Sequence, residues 1–293
     1  IRSAQERQEH PVNSSPSPRR PLAIAQPRAT THLPTLNNQK PSPPVVPLPV
    51  DSEKLVSHYS VTGGTVSPEG KRILKDGDPV GAIQNLAPDR DLSHLLVGQS
   101  ASDRRPSLRV DSQNRSWISC QPGTCLLAPE NPVRNELILL NEFTFALAVE
   151  IATEQPCDIL RANLSGGVEG SETTSIRLSR VGMELVLHLE QGPSNSRIST
   201  PWIQTEAGVV LLGWDGKKGH MHLQAFQKSG KPRLVSSATR IKGRLALHDY
   251  AAGLLEREET FTGAGEVRIG DLALYREVFS DVERDSLAAA LAR

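Results

Sequence analysis

Gly263-Ala-Gly-Glu-Val-Arg-Ile-Gly-Asp-Leu-Ala-Leu-Tyr-Arg-Glu-Val-Phe-Ser-Asp-Val-Glu-Arg-Asp-Ser-Leu-Ala-Ala-Ala-Leu-Ala-Arg293 carries two periods in succession. Val267, Ile269 and then, after a Gly270-Asp271 step, Leu272 and Leu274 recur at every second residue, the spacing of a strand with one buried face. Beyond Tyr275 the period changes. Ser280 followed three residues later by Glu283 is a capping box, in which hydroxyl and carboxylate satisfy amides left unpaired at a helix start. Leu287 and Leu291, four apart, give that helix an apolar stripe, and Ala288 to Ala290 favour it throughout. The chain therefore ends on a strand and one short capped helix.

Upstream, strand signals dominate. Phe143, Phe145, Leu147, Val149 and Ile151 share one face of a strand over 142–151. Ser175-Ile-Arg-Leu-Ser179 and Met183-Glu-Leu-Val-Leu-His-Leu-Glu190, joined through Gly182, read as a hairpin. So do Gly208-Val-Val-Leu-Leu-Gly-Trp214 and His220-Met-His-Leu-Gln-Ala-Phe226, because the Asp215-Gly216 that follows the first strand is a strong turn signal. A second tight turn follows at Lys228-Ser-Gly-Lys231. Short strands separated by turns, with a single helix at the end, predict an all-β, two-sheet antiparallel sandwich.

The C-terminal pattern resembles the concanavalin A-like, laminin-G-type jelly-roll family, in which the end reads Gly-x-Ile-x-(Glu/Asp)-x-x-Leu-Tyr-x-x-x-Leu-Ser-Asp-x-Glu. Phe279 stands here in place of the Leu before Ser280-Asp281. Leu55-Val-Ser-His-Tyr-Ser-Val61 is similar to the family's opening strand. Asp76-Gly-Asp-Pro-Val-Gly-Ala-Ile-Gln-Asn-Leu-Ala-Pro-Asp-Arg-Asp-Leu92 is similar to the segment after it, with Asn85 near the usual Asp and Pro88-Asp89 in place of Ser-Gly. Gly98-Gln-Ser-Ala-Ser-Asp-Arg-Arg-Pro-Ser-Leu-Arg-Val110 and Ser116-Trp-Ile118 extend the match in order. The resemblance implies a jelly roll over 51–293, of the kind found in tailed-phage virion proteins.

Residues 1–50 are a different material. Eleven of the 22 prolines lie between Pro11 and Pro49, no aromatic residue is present, and six basic against two acidic side chains give the segment +4. Such composition favours polyproline II, buries too little apolar surface to offset its ordering entropy, and gains order only against another surface. The segment is expected to be an extended arm docked on other subunits of a large assembly, through Arg19, Arg20, Pro21, Pro43, Pro44 and Pro47.

Thirty-three basic and 33 acidic residues balance, which gives no global field to attract nucleic acid or an anionic membrane. No apolar run approaches the ~20 residues of a membrane helix, and no signal-peptide core follows the early arginines. The chain begins at Ile1, as expected either of a piece of a longer product or of a mature form that has lost a leader. Cys120, Cys125 and Cys157 are expected to be reduced thiols; in an oxidising compartment Cys120 and Cys125 would bridge a loop.

Glycosidases on this sandwich need two facing carboxylates on a strand. The nearest candidates, Glu256 to Glu259 and Asp281 to Asp285, fall in a polar loop and the capped helix, and no Gly-x-Ser-x-Gly elbow appears. The chain is therefore expected not to be an enzyme. His220 and His222 share a strand face, and His188 or His248 would complete a metal site; none is expected. No cofactor is expected, calcium at Asp215, Asp76 or Asp78 being the alternative. For stacking on a sugar ring the candidates are Trp202, Trp117 and Trp214, with Asp215 beside them; Trp202, after Thr200-Pro201 in a loop, is the one expected to be exposed. Together with these observations, the resemblance implies a non-enzymatic virion component (decoration, head-fibre or tail-associated), expected to be anchored by its arm and to display a lectin-like head to host-surface glycans. The alternative is a secreted carbohydrate-binding module with the arm as linker.

Overall fold

In a computed structural model of the 293-residue chain, the described residues are 48–49, 52–71, 75–87, 96–98, 105–128, 138–166, 173–255 and 265–292. The arm residues Arg19, Arg20, Pro21, Pro43, Pro44 and Pro47, and the Glu256–Glu259 loop, lie outside them.

In chain order the strands are β1 Leu55–Tyr59, β2 Thr65–Val66, β3 Ala82–Ile83, β4 Leu96–Gly98, β5 Ser107–Val110, β6 Ser116–Cys120, β7 Cys125–Ala128, β8 Ile138–Leu140 and β9 Glu142–Ile151. They continue as β10 Cys157–Gly166, β11 Thr173–Val181, β12 Glu184–Gln191, β13 Ser194–Pro201, β14 Gly208–Asp215, β15 His220–Gln227, β16 Arg233–Ala238, β17 Leu245–Leu255 and β18 Val267–Tyr275. A helical turn, α1 (Val61–Gly64), follows β1, and α2 (Asp281–Leu291) closes the chain.

Two antiparallel sheets result. The first has eight strands in the order β16-β15-β14-β9-β18-β6-β5, with β1 on the free stretch of β18. The second has ten, in the order β13-β12-β11-β10-β17-β7-β4-β3-β2, with β8 on β17. The sandwich and the short C-terminal helix are those expected of a jelly roll. The last two strands, β17 and β18, are interior strands of opposite sheets, so the C-terminal stretch is built into the middle of the fold.

Alternation sorts the side chains. Phe143, Phe145, Leu147, Val149 and Ile151 of β9 point between the sheets, with Val210, Leu212 and Trp214 of β14 and Leu272 and Leu274 of β18. From the other sheet come Leu160, Ala162, Leu164, Ile176, Leu178, Leu185, Leu187 and Leu189. Full burial of such a side chain contributes roughly 1.5–3 kcal/mol, which makes this layer the principal stabilising element.

The outer face of the eight-stranded sheet is covered as well. Leu287, Ala288 and Leu291 of α2 pack with Tyr275 and Phe279 on Ala146, Ala148, Val209 and Leu211. An 11-residue helix is marginal alone, so this docking and its cap hold it. The Ser280 amide and hydroxyl both reach Glu283 Oε2, at 2.8 and 2.6 Å. The Gly270-Asp271 step is a bulge against β9, where the register jumps between Ile269 and Leu272. A Cβ at Gly270 would lie 2.8 Å from the Ala148 methyl and 3.1 Å from the Trp117 ring, so glycine is required for the close approach.

Candidate functional site: a polar platform on the ten-stranded sheet

Among the described residues no helix packs on the outer face of the ten-stranded sheet. Its outward positions follow from the strands' own alternation. In β11, Ile176 and Leu178 point in while Ser175, Arg177 and Ser179 point out; in β12, Leu185, Leu187 and Leu189 point in while Val186, His188 and Glu190 point out. Pairing aligns these positions into cross-strand rows. One row runs Arg197–His188–Arg177–Arg161. The next runs Asn195–Glu190–Ser175–Asn163–Asp249. At the ~4.8 Å strand spacing, the first row spans roughly 14 Å.

Two bulges shape the platform. Opposite Arg180, Ser179 and Leu178 stand Cys157, Asp158 and Leu160, so Ile159 is an extra residue. That shift brings Asp158 and Arg161, three apart, onto one face, where Arg161 Nε meets Asp158 Oδ2 at 2.7 Å and Ser179 Oγ donates to Asp158 Oδ1 at 2.5 Å. In β17, Asp249 pairs with Asn163 and Leu247 with Leu164, which leaves His248 extra. Consecutive residues His248 and Asp249 then serve the same face. His248 Nε2 lies 2.7 Å from Ser165 Oγ, and Asn163 Nδ2 donates to Asp249 Oδ1 at 2.8 Å. Arg177 is ion-paired with Glu190.

Asp158 is fully buried, whereas Asn163, Ser165, Ser175, Arg177, Glu190, His248 and Asp249 are half-buried. Arg161, Arg177 and Arg197 are offset by Asp158, Glu190 and Asp249, so the face presents paired charge and a dense set of planar donors and acceptors. Such groups, held by their neighbours, are suited to a ligand rich in hydroxyls.

The residues singled out from sequence sit elsewhere. The exposure expected of Trp202 is corrected: it is 1% exposed, because the chain after β13 crosses between the sheets and the indole drops inward against Gly208. Trp214 is also 1% exposed, 5.9 Å from the Phe143 ring, its Nε1 donating to the Ile241 carbonyl at 3.3 Å. Trp117, on β6 of the same eight-stranded sheet as Trp214, is 5% exposed; its Nε1 donates to Asp111 at 3.1 Å and the Arg115 guanidinium lies 5.4 Å from its ring. None of the three offers an open ring face.

Asp215 is consumed by its own turn. It accepts from the amides of Lys217 and Lys218, both at 3.0 Å, and pairs with Lys218 Nζ at 3.2 Å. Burial raises its pKa, but these partners outweigh that and hold the carboxyl below its ordinary range. Asp76 is bonded to the Val110 amide and to Arg109. Asn85 Oδ1 accepts the amides of His58 and Ala87, tying β1 to the following loop. His220 and His222 do share a face, their rings 6.3 Å apart, but His188 and His248 belong to the opposite sheet. Among the described residues no three His, Cys, Asp or Glu side chains are grouped as a metal site. Cys120, Cys125 and Cys157 are buried and form no disulfide; burial pushes the Cys125 pKa up to about 11 and that of Cys120 higher still.

The platform itself was missed in the sequence. One signal was present: the inward residues of β17 run Leu245, Leu247, Tyr250, Ala252, Leu254, with a three-residue step that marks the bulge at His248.

No family model matches the chain, and no curated protein matches it. Solved structures do. A structure of botulinum neurotoxin type C, from work on its interaction with two ganglioside molecules, aligns at a TM-score of 0.54 with 8% identity, over 83% of this chain and 52% of that one. The binding domain of botulinum neurotoxin serotype D/C aligns at 0.52 with 9% identity, over 82% and 53%. At such identity the likeness is one of fold alone, a two-sheet antiparallel sandwich. The chain spans about half the length of these structures.

Proposed function

We propose that this protein is a non-enzymatic, lectin-like binding module whose platform on the ten-stranded sheet takes a carbohydrate. The observation that carries the reading is the pair of bulges that turns Asp158 onto the face of Arg161 and sets His248 beside Asp249 there, with Asn163, Ser165, Arg177 and Glu190. The ganglioside contact of the type C neurotoxin supports a glycan as the ligand class, although the shared fold covers only half of that chain. The test is a glycan array probed with the full chain, followed by titration of Asn163→Ala and Asp249→Ala. Each removes a side chain that bonds its neighbour and, in this reading, a sugar hydroxyl. A hydrogen bond of that kind is worth about 1–1.5 kcal/mol, so affinity falls about tenfold per variant. Unchanged affinity in both variants, or no binding on the array, refutes the platform.

The finer reading is a virion component, with the proline-rich residues 1–50 as the anchor on other subunits and the head displayed to host-surface glycans. Its support is the composition of that segment, including its +4 charge. Deleting residues 1–50 is then expected to abolish incorporation into the particle while leaving glycan binding intact. A deleted chain that still assembles overturns the anchor, and leaves the secreted-module alternative.

A further inference from the structure

We propose that one end of the sandwich, beneath the 202–207 crossover, is a binding site for a carboxylate held by Arg180 and Trp202. Arg180 points inward from β11 and is 3% exposed. Its backbone neighbours across the sheet are Cys157 and Leu185, and Leu185 in turn pairs with Thr200, two residues before Trp202. Arg180 Nη2 reaches Gln204 Oε1 at a long 3.4 Å, while Nε and Nη1 have no partner. Trp202 is tied by its amide to the Met183 carbonyl at 2.9 Å, and its buried Nε1 also lacks a partner. Its ring edge approaches Gly208 so closely that a Cβ there would lie 2.9 Å away.

A guanidinium stays ionised at any working pH, and burying it without a counter-charge is among the costlier arrangements a fold can hold. The unfilled groups at this end are all donors, and one bears a permanent positive charge. Their complement is an anion with more than one acceptor oxygen, a carboxylate in chemical class. No solvent reaches these donors in the closed structure, so entry requires the crossover to lift. The crossover carries Thr205 at φ 59°, left-handed backbone that a β-branched residue adopts only under strain. The carboxylate is either a free small anion or the acid group of a sugar. This site faces the interior and does not rest on the outer platform.

The experiment is thermal unfolding of the full chain, with sodium acetate or sodium glucuronate replacing sodium chloride at constant ionic strength, and glucose as the uncharged control. The expected result is a saturable rise in Tm, about 5–10 °C at a probe concentration a hundredfold above Kd. The rise is absent in Arg180→Met, and in Trp202→Phe the Kd is about tenfold weaker. A response to acetate identifies a free carboxylate; a response to glucuronate alone identifies the acid sugar. No saturable difference from chloride with either probe overturns the proposal, as does an equal rise in Arg180→Met. If Arg180→Met fails to fold, Trp202→Phe decides, and an unchanged Kd there refutes the site.

Discussion

Asp158→Ala is the substitution that most directly probes how the platform is built. The carboxylate is fully buried, and it holds Arg161 Nε at 2.7 Å and the Ser179 hydroxyl at 2.5 Å. Removing one partner of a buried ion pair costs about 3–5 kcal/mol, because the remaining charge is left unpaired. Arg161 has an 18% exposed side chain and recovers part of its hydration, which favours the lower end of that range, about 3 kcal/mol. The Ser179 hydroxyl loses its acceptor, about 1 kcal/mol more. The sum, about 4 kcal/mol, corresponds to a fall in Tm of roughly 8–16 °C for a domain of this size. Asp158→Asn keeps an acceptor for Ser179 and is expected to cost about half as much. The decisive variant is Asp158→Ala with Arg161→Met, which removes both members of the pair; it should recover at least about 1 kcal/mol relative to Asp158→Ala. Urea unfolding of the wild type, Asp158→Ala, Arg161→Met and the double variant gives the cycle. A loss below about 1 kcal/mol for Asp158→Ala, or a double variant no more stable than the single, refutes the argument that this carboxylate organises the face.

Leu287→Ala, at a fully buried position on the inner face of α2, should cost about 2–5 kcal/mol in urea unfolding and speed amide exchange in 281–291. Gly270→Ala places a methyl 2.8 Å from Ala148 and should cost about 1–3 kcal/mol through overpacking; an unchanged urea midpoint would contradict the close approach. Burial pushes the Asp111 carboxyl up, but the amides of Arg115 and Gln113, the Trp117 indole and the Arg115 guanidinium outweigh it and set its pKa at about 2. A folded pKa below the unfolded one gives stability that is full above the unfolded value, about 3.9, and is lost as pH falls toward 2. Between pH 4.5 and 2 the urea midpoint of the wild type should therefore fall more steeply than that of Asp111→Asn.

The strands with strict alternation and clear turns were legible: β9, the β11–β12 and β14–β15 hairpins, β18 with its Gly270 bulge, and the capped α2. Each is specified by residues within twenty positions of one another. β10 and β17, interior strands of the ten-stranded sheet, were not read. Their alternation is broken by the extra residues Ile159 and His248, and β17 is diluted by Ala246, Ala251, Ala252 and Gly253, weak strand formers. Trp202 shows the opposite error. A large indole after a proline in a polar stretch looks exposed, yet the chain crosses there from one sheet to the other and carries the ring inside.

By itself, then, the sequence determined the class of fold, because side-chain period and turn chemistry are local and survive in any tertiary setting. Only the tertiary structure decided which sheet face α2 covers, which is left to carry polar rows, and that Arg161, Asn163, Arg177, Glu190, His248 and Asp249 converge there. Those residues come from four strands separated by as many as 88 positions in the chain. A one-residue bulge reverses which face a side chain serves, and its effect on the rows appears only once the strands are paired.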